Sequence, residues 1–155
     1  MSIKIFLSDV DGVLTDGGMY YTESGEEFKK FNCYDGMGMK LLQEKGYKVG
    51  IITSEDKQIN RNRARKLKLD FDFHGIKDKL KFMQEFCINE NFKLSEIAYI
   101  GDDINCFDLL SNVGVCACPK NAVPKIKNIP NIKLLNSTGG NGAFREFAEI
   151  YLKYL

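Results

Sequence analysis

The chain has 155 residues, 44% of them hydrophobic and 28% charged, with three prolines, so it can fill one hydrophobic core and is unlike a disordered or fibrous chain. Its 22 Lys and Arg balance 21 Asp and Glu to a net charge of +1, which gives no reason to expect nucleic acid or a membrane surface as partner. The five cysteines (Cys33, Cys87, Cys106, Cys116, Cys118) lack paired zinc-site spacing, and the opening apolar run stops at Asp9, too soon for a signal peptide, so reduced thiols in a cytoplasmic protein are expected.

Ile3 to Ser8 is a short apolar run with β-branched residues that ends at Asp9. Further strand-like runs follow at Lys48 to Thr53, Phe71 to Phe73, Ile97 to Ile100 and Val113 to Cys116. Between them, apolar residues three and four apart mark helices: Met37, Leu41 and Leu42; Ile59, Ala64 and Leu67; Leu80, Met83, Phe86 and Cys87. Phe107, Leu109 and Leu110 suggest a fourth helix, and Phe144, Phe147, Ile150 and Tyr151 a last one. Strands alternating with helices predict an α/β fold, a Rossmann-like parallel sheet with helices on both faces. Gly17 to Phe31 breaks the rhythm and reads as a β-hairpin flap inserted after strand one. No linker or repeat divides residues 1–155, which are read as a single domain.

In an open α/β sheet, ligands bind beyond the carboxyl ends of the strands. Asp9 and Asp11 follow strand one, Thr53 closes strand two, and Gly101-Asp102-Asp103 follow strand four. At least three carboxylates can thus converge at one edge. Such a cluster repels itself unless a cation intervenes, and hard oxygen ligands suit Mg²⁺. Lys79, at the start of a helix, is a plausible counter-charge. Asp-Val-Asp-Gly on its own is also an ordinary turn sequence; it is the ordered set that carries the chemistry.

That set resembles the haloacid dehalogenase superfamily of phosphatases over nearly the whole chain: Asp9-Val10-Asp11-Gly12-Val13, then Thr53, then Lys79, then Gly101-Asp102-Asp103. The resemblance implies that Asp9 is a nucleophile forming an aspartyl-phosphate and that Asp11 is the general acid and base. It implies that Thr53 and Lys79 hold the phosphoryl oxygens. Asp9, the Asp11 main-chain carbonyl and Asp102 would bind Mg²⁺, with Asp103 supporting them from behind. The 41 residues between Asp11 and Thr53 and the 25 between Thr53 and Lys79 leave no room for a cap domain beyond the hairpin. The chain therefore resembles the capless branch, which includes the 3-deoxy-manno-octulosonate 8-phosphate phosphatases and their 2-keto-3-deoxy-nonulosonate 9-phosphate relatives. Residues 9–18, Phe28-Lys29-Lys30-Phe31 and residues 139–146 carry that likeness. Members of the branch are tetramers in which neighbouring subunits supply the lid, and the apolar hairpin residues Met19, Tyr20 and Tyr21 fit burial against a neighbour.

Within the branch, the octulosonate enzymes follow the second-motif Thr with Gly and Arg, whereas this chain has Thr53-Ser54-Glu55. Glu there and a Lys eleven residues on, Lys66, resemble the nonulosonate enzymes, so the expected substrate is a sialic-acid-like nonulosonate 9-phosphate. The alternatives are octulosonate 8-phosphate, or a non-catalytic regulatory subunit of the same fold. Along a helix Glu55 and Lys66 would lie roughly 16 Å apart, so they are expected to select the substrate across a subunit interface. The six basic residues from Lys57 to Lys68 read either as a solvated helix face or, through Arg63 or Lys66, as a binder of the substrate carboxylate. They lack the interleaved aromatics of a nucleic-acid site. The Gly139 to Gly142 loop could offer main-chain donors to an anion or serve as a plain helix entry.

Overall fold

The structure, a computed structural model, describes residues 2–153. Six parallel strands form the sheet: β1 (Ile5–Ser8), β4 (Lys48–Ile52), β5 (Phe71–Phe73), β6 (Ile97–Ile100), β7 (Val115–Cys118) and β8 (Lys133–Leu134). Their spatial order is β5-β4-β1-β6-β7-β8. The hairpin after β1 is made of β2 (Tyr20–Tyr21) and β3 (Glu27–Phe28), paired antiparallel with Tyr20 opposite Phe28, and its base closes through a bridge between Thr15 and Phe31. The helices are α1 (Cys33–Glu44), α2 (Gln58–Lys66), α3 (Lys79–Glu90), α4 (Phe107–Leu110), α5 (Pro124–Lys127) and α6 (Ala143–Leu152). No helix among the described residues is long and apolar enough to cross a membrane.

The period-two pleat sorts each strand between two cores. In β1, Phe6 packs with Met39 and Leu42 of α1 and Phe144 and Phe147 of α6. Ile5 and Leu7 face the other way, onto Met83 and Cys87 of α3 and Leu109 of α4. β7 divides likewise, Ala117 on the first face and Cys116 and Cys118 on the second, so these two thiols are packing residues. Every residue of β1 and β6 is buried, as expected for central parallel strands covered on both sides.

One expectation needs correction. The strand expected over Val113 to Cys116 runs two residues later. Gly114 lies flat against the preceding turn, its N–H bonded to the Leu94 carbonyl, and a Cβ there would fall 2.0 Å from the Ser95 carbonyl oxygen; ladder pairing begins only with Val115 opposite Ala98. The short elements α5 and β8, of four and two residues, were not anticipated, because runs that short carry no periodicity.

The chain moves outward from β1 to β4 and β5 on one side, then returns across β1 to begin β6 on the other. This reversal is a topological switch point, and it opens a crevice at the carboxyl end of β1.

Candidate functional site

Asp9 is the first residue beyond β1, pinned there by its N–H, which donates to the Ile100 carbonyl at 3.0 Å. Its side chain is buried, with Oδ1 accepting from the Val10 N–H and from Lys79 Nζ, each at 2.9 Å, and Oδ2 accepting from the Cys106 thiol at 3.2 Å. The backbone then turns tightly, Val13, Leu14 and Thr15 all donating to the Val10 carbonyl. Gly12 is needed in this turn twice over: its φ is +79°, and a Cβ would lie 1.9 Å from Asp102 Oδ2.

Lys79 opens α3 behind its cap, Asp78, whose carboxylate accepts from the Lys81 N–H. Its ammonium is buried and lies 3.3 Å from the Tyr99 hydroxyl as well as on Asp9. Burial works against this charge, but the Asp9 carboxylate outweighs it and holds the Lys79 pKa above its ordinary value. Cys106, buried at the end of a 3-10 turn, is pushed up to about 12 by burial and then by Asp9, so it stays a neutral thiol.

Asp102 arrives just past β6. Asp9, Asp102 and Cys106 present ligand atoms within 4.8 Å of one another. Burial, and then the Asp9 charge, raise the Asp102 pKa well above the carboxylate range. Two apposed carboxylates in this state fit a hard divalent cation, which would relieve both the burial and the repulsion. Asp103 turns away to cap the following turn, its Oδ1 accepting from the Ile104 N–H at 2.7 Å.

Thr53 follows β4 and is buried, its Oγ1 accepting from the Glu55 N–H at 3.3 Å. Ser54 receives Asn105 Nδ2 on its hydroxyl. Asp9, Asp11, Thr53, Ser54, Glu55 and Asp102 together line a cavity of about 300 Å³ at the switch point, with Asp103 at its edge. All five motif positions are therefore on, or in direct contact with, one concavity.

Arg63 and Lys66 are not brought there. α2 starts beyond Glu55 and carries them roughly 8 and 12 Å along its axis from Gln58. They line a separate groove of about 470 Å³ between α1 and α2, beside Cys33 and Met37. Arg63 donates to the Asn32 carbonyl at 3.2 Å and lies over the Phe31 ring, a packing role for its stem and charge. The ion partner of Glu55 is Lys29, not Lys66.

The glycine loop does not cradle an anion either. Its donors are already used, Gly139 N–H on Asn121 Oδ1 and Gly140 N–H on the Val13 carbonyl. A Cβ at Gly139 would lie 2.1 Å from the Gly12 carbonyl oxygen, so the loop is a close-packed floor beneath the Asp9 turn.

Sequence reasoning missed Lys29, Tyr99 and Cys106. Lys29 places Nζ 2.9 Å from Asp11 Oδ1 and 3.0 Å from Glu55 Oε2. Burial raises the Asp11 pKa, the Glu55 and Asp9 charges add to the rise, and Lys29 opposes it. Glu55 is held below its ordinary value, first of all by the hydrogen bond from Lys29. No spacing rule marks a hairpin lysine as a partner of residues 18 and 26 positions away; only its place in a family-like Phe-Lys-Lys-Phe run set it apart.

No protein-family model matches the chain. It is 32% identical over 152 residues to the 3-deoxy-D-manno-octulosonate 8-phosphate phosphatase of Haemophilus influenzae, covering 98% of this chain and 84% of that one. Among solved structures, the 3-deoxy-D-manno-octulosonate 8-phosphate phosphatase of Moraxella catarrhalis, in complex with magnesium ion, phosphate ion and KDO, superposes with a TM-score of 0.90 at 33% identity, over 96% of this chain and 84% of that one. The corresponding Yersinia pestis phosphatase gives a TM-score of 0.90 at 32% identity, over 96% and 80%.

Proposed function

Because the chain belongs to the 3-deoxy-D-manno-octulosonate 8-phosphate phosphatase family of haloacid dehalogenase-type hydrolases and is a phosphomonoester hydrolase, we propose that it hydrolyses the phosphate of a 2-keto-3-deoxy sugar acid, 3-deoxy-manno-octulosonate 8-phosphate in the first place, through an aspartyl-phosphate. The observation that carries this reading is the meeting of Asp9, Asp11, Thr53, Lys79 and Asp102 around one small cavity.

In the first step an Asp9 oxygen attacks phosphorus, the bond from phosphorus to the sugar oxygen breaks, and Asp11 gives a proton to the departing alkoxide. In the second, water attacks the aspartyl-phosphate, Asp11 takes its proton, and inorganic phosphate leaves with Asp9 restored. Lys79 orients Asp9 through its contact with Oδ1, and with the Thr53 hydroxyl it faces the phosphoryl oxygens. Asp9, the Asp11 carbonyl and Asp102 would hold Mg²⁺, with Asp103 steadying the turn behind Asp102. Mg²⁺ at that position supplies charge that neutralises the phosphoryl group.

A nonulosonate 9-phosphate is the second reading, favoured by Glu55 on the cavity wall where the octulosonate enzymes have Arg. The names borne by the relatives support eight carbons over nine. Only the hairpin separates β1 from α1, and only α2 lies between β4 and β5, which supports a single capless domain. We carry a cytoplasmic homotetramer in the same proposal; exposed Met19, Tyr21 and Phe28 on the hairpin support burial against a second copy. Through such an interface Arg63 and Lys66 of one copy could approach the cavity of another.

The test is a phosphate-release panel over eight- and nine-carbon sugar-acid phosphates with Mg²⁺, repeated with chelator and with Asp9→Asn. Turnover of an acid phosphate that is lost in both controls is expected. Robust turnover by Asp9→Asn would remove the covalent mechanism, and turnover of no member would remove the sugar-acid substrate. Glu55→Arg should shift the ranking toward eight carbons if the second reading holds.

A further inference from the structure

We infer that Lys29 is a positioning residue for Asp11, fixing one carboxylate oxygen so that the other is presented to the leaving group. The inference rests on the proposed role of Asp11. The Lys29 side chain is only 4% exposed, whereas those of Asp11 and Glu55 are 44% and 43% exposed. The cation is thus the buried member of the cluster and its two anions stand open to the cavity mouth. Burying an ammonium is unfavourable unless each charge and donor finds a partner. Here Nζ bridges Asp11 Oδ1 and Glu55 Oε2 at 2.9 and 3.0 Å, which also offsets the repulsion between the two neighbouring carboxylates.

The place of that ammonium is set by the hairpin and not by Asp11. Lys29 directly follows β3, whose Phe28 stacks on Tyr20 with ring centres 5.9 Å apart. Two residues on, Phe31 bridges to Thr15. Lys30 is tied between them, Nζ donating to the Gly140 carbonyl at 2.9 Å and to Asn141 Oδ1 at 2.8 Å. The chain is therefore held by cross-strand stacking within the hairpin before Lys29 and tied to the glycine loop and Thr15 directly after it. Asp11 projects from a tight turn as a short side chain with two torsions, and Lys29 selects among its orientations. With Oδ1 held, Oδ2 is the oxygen left to carry the proton to the sugar oxygen.

Leaving-group chemistry separates this role from general support of the fold. A sugar phosphate expels an alkoxide that needs the proton, whereas 4-nitrophenyl phosphate expels a stable phenolate that does not. The ratio kcat/KM covers only the steps through phosphoryl transfer to Asp9, so hydrolysis of the aspartyl-phosphate does not blur the comparison. Lys29→Met is expected to lower kcat/KM for the sugar-acid phosphate by about ten- to a hundredfold and for 4-nitrophenyl phosphate by less than about threefold, with Lys29→Arg recovering part of the loss. Asp11→Asn measured alongside should show the same selectivity. If Asp11→Asn is selective but Lys29→Met lowers both substrates equally or neither, the inference is overturned and the role of Asp11 stands. If Asp11→Asn itself spares the sugar-acid phosphate, the underlying reading fails. Should Lys29→Met not fold, Lys29→Gln, which keeps the stem and one donor, is judged by the same ratio.

Discussion

Asp35 sits in the first turn of α1 yet caps a different helix. Its Oδ1 accepts from the Arg145 N–H at 3.0 Å at the start of α6, while Oδ2 is buried with no hydrogen-bond partner. The residue is 2% exposed, and burial pushes its pKa from 3.8 up to about 6, against the pull of the Arg145 and Gly142 amides. An acid with a raised folded pKa favours folding only while it is protonated. Below 3.8 both states are protonated and nothing is lost. Between 3.8 and about 6 the unfolded chain ionises first, so stability falls as pH rises. Above that range both are charged and the loss levels off at about 3 kcal/mol, taking 1.36 kcal/mol per tenfold step. About 1 kcal/mol is already lost at pH 4.5, so roughly 2 kcal/mol remains to be lost by pH 7.5. Asp35→Asn keeps the acceptor and stays neutral throughout. Its amide N–H₂ would take the place of an oxygen without a partner, at a pH-independent cost of about 1 to 2 kcal/mol. Urea unfolding of both proteins from pH 4.5 to 7.5 should therefore show the variant gaining on wild type by about 2 kcal/mol, or about 4 to 8 °C in melting temperature. Other titrating groups cancel in the difference. A gap that stays constant across that range would refute the assignment of a strained carboxylate to Asp35.

Gly139→Ala should destabilise the protein by about 2 to 3 kcal/mol and remove most phosphatase activity, because its Cβ would press on the Gly12 carbonyl oxygen beneath Asp9. Gly46→Ala, with a φ of +91° but open space around it, should cost about 1 kcal/mol and leave activity intact; equal effects in melting and turnover assays would contradict the floor role of residue 139. A maleimide should label Cys33 alone in the native protein, since it is exposed while Cys87, Cys106, Cys116 and Cys118 are buried. Mass spectrometry that finds native Cys106 modified at pH 8 would show that the Asp9 pocket admits solvent more freely than its packing allows.

The ordered motif residues were legible because parallel strands present whatever follows them at one edge. Asp9, Thr53 and Asp102 each directly follow, or nearly follow, a short apolar run, and that position alone assigns them to a common rim. Lys79 was legible as a helix-opening cation, though its contact with Asp9, 70 residues away, was not. Residue type and family likeness pointed Arg63 and Lys66 toward the substrate, whereas nine residues of rigid helix place them on a separate groove within one chain. Lys29 and Cys106 were missed for the converse reason: no local pattern names their partners, and their roles depend on where the hairpin base and a one-turn helix finally pack.

The alternation of strands and helices, two-sided burial and the placing of carboxylates at strand ends are thus properties of local pattern, since alternation and strand-end chemistry act over a few residues, whereas strand order came only with the folded sheet. Tertiary packing decided which charges pair. Hydrogen bonds and ion pairs require atoms within about 3 to 4 Å, and such distances between segments far apart in the chain exist only after both cores have closed around the sheet.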